Sequence, residues 1–375
     1  MQYSPGLEGV IAADTQVSYL DVEHEEIVIR GYDLIELAQH LEYTDVAYLV
    51  IHGSLPTKEE SKKFSTTLRN EAPLPEATYR LLELLPKSTE VMDALRTGIS
   101  FLGGYEDAQV LNDTSISSNL AKGLRILAKA PGIASNAYRI LHNQVPVHPD
   151  PKLDFTENFL RMILGETPDA EAREIFGYIL TCYVEHELAN STFALRVIAS
   201  TLADIYGSVV GAVASLKGPL HGGANEAYVR MLLEINAQGG PARAESYVME
   251  KLQAKARIMG FGHRVYMRKY DPRAYLLRNY IPRLASRRPE GKDLHTIYQT
   301  VEQVMLREKG LYPNADSPIG LLFYLLGIPI PLFTPIFLCA RIPGLVAHAV
   351  EQQADNRLYR PRVTYQGPRG LHLPS

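Results

Sequence analysis

Polar and apolar residues alternate along the chain in one region only. Residues 16–20 (Gln-Val-Ser-Tyr-Leu) and 26–30 (Glu-Ile-Val-Ile-Arg) flank a charged turn and carry β-branched side chains, which predicts a small hairpin. After Gly31 the apolar spacing becomes helical and stays so. Residues 32–51 predict a helix that stops at Gly53, and Thr57 with Glu60 forms a capping box for the next. Pro73, Pro75 and Pro86 punctuate the segments that follow. Helical patterns then run over 90–102, 116–143 (broken at Pro131), 154–164, 168–188, 192–216, 224–237, 242–258, 272–286 and 293–308.

Residues 317–340 contain no charged side chain and are long enough to cross a bilayer. Pro318, Gly327, Pro329, Pro331 and Pro335 interrupt them, and Asp316 and Arg341 close the two ends. Proline removes a helix donor and clashes with the preceding turn, so the stretch predicts two buried segments with a bend at 327–331, and no membrane span. The whole pattern predicts an all-α protein with one N-terminal β-hairpin. Strands do not alternate with helices, which disfavours a doubly wound sheet.

Composition narrows the function classes. The 375 residues are 46% hydrophobic and 21% charged, as in a globular protein of two or three domains. Lys and Arg number 38 against 42 Asp and Glu, a net charge of −4 that argues against nucleic-acid binding. Two cysteines, Cys182 and Cys339, build no disulfide framework, so a cytoplasmic setting is expected. The opening residues lack the basic start and apolar run of a signal peptide. The glycine-rich segment 217–223 marks the better domain boundary, and the Pro-rich 145–151 reads as a connection.

Eleven histidines raise the question of a metal. His186 opens like a zinc-protease helix, but the position four residues on is Asn190, and there is no Cys-x-x-Cys. No metal site is expected. A Walker loop and a GxGxxG fingerprint are also absent. Three segments stand out instead. In 218–225 (Gly-Pro-Leu-His-Gly-Gly-Ala-Asn), His221 sits among glycines where a helix should start, and the positive helix end would keep its imidazole neutral. In 259–266, His263 again follows glycines, with Arg273 ten residues on. In 312–316, Asp316 stands at the mouth of the apolar stretch, where desolvation would raise its basicity. Singly, each has a plainer explanation. A histidine among glycines is commonly a turn residue, Asp316 would cap the following helix, and Arg341, Arg357, Arg360 and Arg362 would be surface charges.

Their joint occurrence in this order resembles the citrate synthase family. The resemblance runs from SPGLEG at residue 4 through IRGY, His186 to Phe193, both histidine motifs and the Asp316 segment to FTP at 333, AR at 340 and RP at 360. Within the family, SPGLEGVIAA, IRGYDLIEL, HELANSTF and LGIPIPLFTPIF look most like bacterial 2-methylcitrate synthases that also make citrate.

The resemblance implies an all-α homodimer. A large domain would span 1–220 and 323–375, a small domain 221–322, and the active site the cleft between them. It implies condensation of acetyl-CoA or propionyl-CoA with oxaloacetate, followed by thioester hydrolysis. Asp316 would be the base, His221 the neutral donor to the thioester oxygen, and His263 the group that polarises the oxaloacetate carbonyl. His186, Arg273, Arg341 and Arg360 would hold oxaloacetate, with Arg360 supplied by the partner subunit. Ala256, Arg257, Ile258, Met259 and Gly260 would contact coenzyme A, which is a substrate; no cofactor is implied.

Three departures from the family pattern stand in this chain. Ser317-Pro318 follows Asp316 where many relatives have an aromatic residue, the 187–190 segment shifts an amide by one position, and Leu345 replaces a common tryptophan. The alternatives are a catalytically silent paralogue that acts as a binding or regulatory protein, and a metal hydrolase built on the scattered histidines.

Overall fold

The computed structural model describes residues 3–21, 23–262 and 269–374. The hairpin forms as its alternation predicts, with Ser18–Asp21 antiparallel to Glu26–Ile29 and Ser18 opposite Ile29. Leu20, Ile27 and Ile29 are buried and Tyr19 is exposed. A third short strand, Tyr32–Asp33, was not expected. Arg30 and Gly31 both take positive φ (51° and 92°), the geometry of a tight hairpin turn, and this folds Tyr32 back beside Ile29.

The rest is helical. Gly53 ends its helix in the left-handed conformation (φ 87°), and both hydrogen bonds of the Thr57–Glu60 box are made. The expected single helix over 32–51 is instead two, Leu34–His40 and Tyr43–His52, because Leu41 and Glu42 are extended. The corner lets Leu37 and Ala38 on one side, and Val46 and Ala47 on the other, enter the core. Residues 192–216 likewise divide into Asn190–Ala199 and Ile205–Leu216, the second capped by the Asp204 carboxylate. Residues 272–286 become Pro272–Leu277 and Ile281–Leu284, each followed by a 3-10 turn.

Pro131 breaks nothing. Ile116–Leu141 is one continuous helix, although a proline inside a helix costs about 3 kcal/mol or more. Nearly every residue from Ile126 to Ala137 is buried, so packing on several sides outweighs the lost bond.

The core lies around Phe333–Ala354, which packs against Ile116–Leu141, Tyr43–His52, Asn190–Ala199, Ile205–Leu216 and Ala170–Tyr183. By length and composition this helix passes for a membrane span, yet 89% of its most apolar window is buried inside the protein. It follows the bend expected at 327–331, where Gly327 has φ 88°. A second group of helices, Ala224–Ala237, Ala244–Gln253, Gly291–Lys309 and Asp316–Leu325, packs mainly on itself.

Candidate active site

Asp316 is the first residue of its helix. The capping duty expected of it falls to Asn314, whose Oδ1 accepts from Asp316 N–H (3.1 Å), so the aspartate carboxylate is released for other contacts. Oδ1 of Asp316 accepts from the hydroxyl of Tyr183 (3.0 Å), and that hydroxyl accepts in turn from Asn225 Nδ2 (3.2 Å). Burial pushes the Asp316 carboxyl up to about 6, against the lowering effects of the Tyr183 hydrogen bond and the charges of Arg273 and Arg341. Desolvation wins, and the result is a carboxylate of raised basicity that is still ionised at neutral pH.

Tyr183 stacks on Phe337 (centroids 4.2 Å, planes 19° apart). His221 meets the same Phe337 ring edge-on at 6.4 Å, and the Arg341 guanidinium lies 4.9 Å from its centroid. One aromatic platform thus gathers a base, an imidazole and a cation from distant parts of the sequence. His221 Nε2 accepts from the backbone N–H of Ser191 (3.2 Å), which leaves the ring proton on Nδ1. Its pKa is depressed to about 4, first by burial and then by the charge of Arg341. The neutrality expected from the helix end therefore has another main source. Close packing fixes this loop: a Cβ at Gly222 would lie 2.5 Å from Leu216 O and 2.9 Å from the Thr334 methyl.

The guanidinium groups are both buried. Arg341 donates from Nε to Tyr183 O (2.6 Å), and burial lowers its pKa to about 10. No carboxylate among the described residues lies within ion-pair distance of it. Arg273 is held by Asp271 through Nε–Oδ1 (3.0 Å) and Nη2–Oδ2 (2.7 Å), and Asp271 Oδ2 also accepts from Ala315 N–H (3.2 Å). His186, 7% exposed, lies two residues beyond the cap of the Ala170–Tyr183 helix. The predicted continuation to 188 fails: the helix ends at Tyr183, and beyond it Glu187 takes φ 53° and turns the chain.

The glycine segment before His263 is tied to the aspartate segment. Gly262 N–H donates to Tyr312 O (3.0 Å), Asn314 N–H to Gly260 O (3.0 Å), and Asn314 Nδ2 to Gly262 O (3.0 Å). Two motifs some fifty positions apart are one paired unit. The chemistry this arrangement offers is proton abstraction by a raised carboxylate beside a preset neutral N–H donor and two buried cations.

The family model described as "Citrate synthase, C-terminal domain" matches residues 6–362. The chain belongs to the citrate synthase family. It is similar to the citrate/2-methylcitrate synthase of Bacillus subtilis, 47% identical over 98% of this chain and 97% of that protein. It is also similar to the citrate synthase of Heyndrickxia coagulans, 46% identical over 99% and 98%. Among solved structures, it aligns with the citrate synthase of Thermoplasma acidophilum in a ternary complex with carboxymethyl coenzyme A and oxaloacetate. That match has a TM-score of 0.92, 29% identity, and coverage of 99% and 98%.

Of the residues singled out in the citrate synthase resemblance, Asp316, His221, Arg273 and Arg341 converge on one centre. His186 lies just beyond the helix that ends at Tyr183. His263 lies outside the described residues. Arg360 does not join the cluster; it is exposed in the extended segment after Ala354. Ala256 and Arg257 are exposed, Ile258 and Gly260 are buried, and Met259 lines a cavity of about 400 Å³ with Lys217, Glu226 and Thr334. Among the described residues no cluster of His, Cys, Asp and Glu is arranged to hold a metal.

Tyr183, Phe337, Asp271 and Ser191 also belong to the site, although the sequence does not point to them as site residues. Only Asp271 carried a local signal, as an acid ahead of a helix-starting proline, and it does cap that helix.

Proposed function

We propose that this citrate synthase-family chain condenses a short acyl-CoA with oxaloacetate and hydrolyses the thioester, giving citrate or 2-methylcitrate and free CoA. The observation that carries the residue roles is the pairing of a carboxylate near pKa 6 with an imidazole depressed to about 4 on one aromatic platform. Asp316 removes the proton beside the thioester carbonyl. His221 Nδ1–H meets the enolate oxygen as charge develops there, with no reorganisation at that moment. The enolate carbon attacks the ketone carbon of oxaloacetate, and the new alkoxide takes up a proton, the step assigned by motif to His263. Water then cleaves the thioester and releases CoA. A positioned base contributes about 10²–10⁴-fold in such a reaction.

Arg273, Arg341 and His186 bind the dicarboxylate, since paired guanidinium forks suit two carboxylates. Arg360 completes the set from the partner subunit of a homodimer. Its exposure supports this reading, as do Leu358, Val363, Leu371 and Leu373, apolar side chains left exposed on the same tail. The domains fall at 1–220 with 323–375 and at 221–322, and they close on oxaloacetate; small-angle scattering that shows no contraction with oxaloacetate would contradict closure. Residues 256–260 touch coenzyme A, with Met259 at the cavity and the exposed residues Ala256 and Arg257 beside it in sequence. A cytoplasmic setting suits two cysteines that are both free and buried.

The direct test is release of free CoA from acetyl-, propionyl- and butyryl-CoA with oxaloacetate, compared by kcat/KM. No CoA release with any of them would overturn the reading. One methylene in an apolar pocket discriminates by only about 1–3 kcal/mol, so both of the shorter thioesters should react.

A further inference from the structure

Behind His186 lies a chain of polar side chains that the reaction does not use. Glu185 is fully buried, and its Oε1 accepts from Ser18 Oγ (3.0 Å) and from His348 Nε2 (3.1 Å). Arg196 Nη1 donates to His348 Nδ1 (2.9 Å), which places the ring proton on Nε2, facing Glu185. Arg196 is itself fixed by Glu351 (2.7 Å) and Gln352 (3.1 Å). Ser18 has a second contact: its Oγ accepts from Glu187 N–H (2.9 Å), at the left-handed residue that turns the chain after His186.

The other oxygen of Glu185 has no hydrogen-bond partner among the described residues. It lies against Gly344, where a Cβ would sit only 1.9 Å away. Gly344 is one turn beyond Arg341 on the same helix. Burial raises the Glu185 pKa, but His348 and Arg341 outweigh it and hold the carboxyl below its ordinary value. It is an anion that Arg341 senses without an ion pair.

A buried guanidinium with no counter-charge is costly, whereas one whose donors are all taken up by neighbouring groups has none left for a substrate. We infer that Ser18 and the Glu185–His348–Arg196 chain are a positioning device for the dicarboxylate site. They hold the His186 corner in its turn and tether Glu185 so that it offsets Arg341 without capping its fork. This rests on the proposed binding of oxaloacetate by His186 and Arg341. Ser18 comes from the N-terminal hairpin, so that small sheet acts on substrate binding indirectly, through the residues it positions.

Two variants test this with opposite signs. Ser18→Ala frees the corner and lets Glu185 swing towards Arg341. The KM for oxaloacetate should rise about ten-fold, while kcat and the KM for acyl-CoA change less than about two-fold, and Ser18→Thr should restore it. Glu185→Gln keeps an oxygen acceptor for Ser18 and His348 but removes the charge that opposes a dianion. It should lower the oxaloacetate KM about three-fold and the ligand-free Tm together. A merely structural role would raise KM in both. An unchanged oxaloacetate KM in Ser18→Ala, or a raised one in Glu185→Gln, overturns the inference. Titration calorimetry of the wild type with oxaloacetate separates the two levels, since absence of binding there would sink the proposed function instead.

Discussion

The hydroxyl of Tyr183 donates to Oδ1 of Asp316 across 3.0 Å while its ring lies flat on Phe337. That contact tunes the proposed base. Asp316 sits at a helix N-terminus, which favours its ionised form, and it accepts a phenolic hydrogen besides; burial still carries its pKa to about 6. Removing the Tyr183 hydroxyl takes away one of the lowering effects. Tyr183→Phe should therefore move the acid limb of the pH–rate profile upward from about 6. It should also cost about 1–2 kcal/mol, because Asn225 loses its buried acceptor. An unmoved limb would show that another group controls it.

Replacing Asp316 should separate chemistry from binding. Asp316→Asn is expected to abolish condensation and leave oxaloacetate affinity within about three-fold. It should also stabilise the protein. A carboxyl whose folded pKa is raised from 3.8 to about 6 favours the folded state only when protonated, so the wild type loses stability as pH rises through that window. The gain from Asn should reach up to about 3 kcal/mol above pH 7 and vanish near pH 4. Melting curves across pH check this, and an equal gain at every pH would contradict it.

His221 depends on a backbone donor. Because Ser191 N–H, and not only its hydroxyl, reaches Nε2, Ser191→Ala should keep the tautomer and retain kcat within about three-fold. His221→Ala should lose about 10²–10⁴-fold. With a pKa depressed to about 4, the imidazole stays neutral through pH 5–8 and adds no second limb there. Its depressed value also means that stability falls as pH drops from 6.5 towards 4, since the folded state resists protonation.

The Asp271–Arg273 pair is almost wholly enclosed, with side chains 0% and 6% exposed. Asp271→Ala leaves a buried cation and an unmet Ala315 N–H, and should destabilise the protein by about 3–5 kcal/mol. Urea titration at pH 7.5 measures it, and a loss below about 1 kcal/mol would place the pair among ordinary surface bridges.

The shared site of the proposed dimer is testable by mixing. Inactive Arg360→Ala and inactive Asp316→Asn subunits, unfolded and refolded together, should recover about a quarter of wild-type activity through hybrid dimers. No recovery would mean that Arg360 serves its own chain.

Local features were legible because their causes are local. The Thr57–Glu60 box needs two side chains and one turn of backbone, and Gly53 needs only its missing Cβ. The hairpin and the bend at Gly327 belong to the same class. The corner at Leu41–Glu42, the intact helix through Pro131 and the turn between Ala199 and Ile205 were not legible, because packing against distant helices decides each. In the site, the histidine and aspartate motifs were recognisable by composition. Tyr183 and Phe337 looked like two more core aromatics, and only their neighbours give them a role.

The sequence by itself determined the all-helical class, the family and the groups able to do acid–base work. Each of these rests on residue type and short-range spacing. Tertiary structure alone decided the protonation states and the platform that joins them. Those depend on how much water each group loses and which charges stand within a few ångströms, and both are set by chains brought together from more than a hundred residues apart.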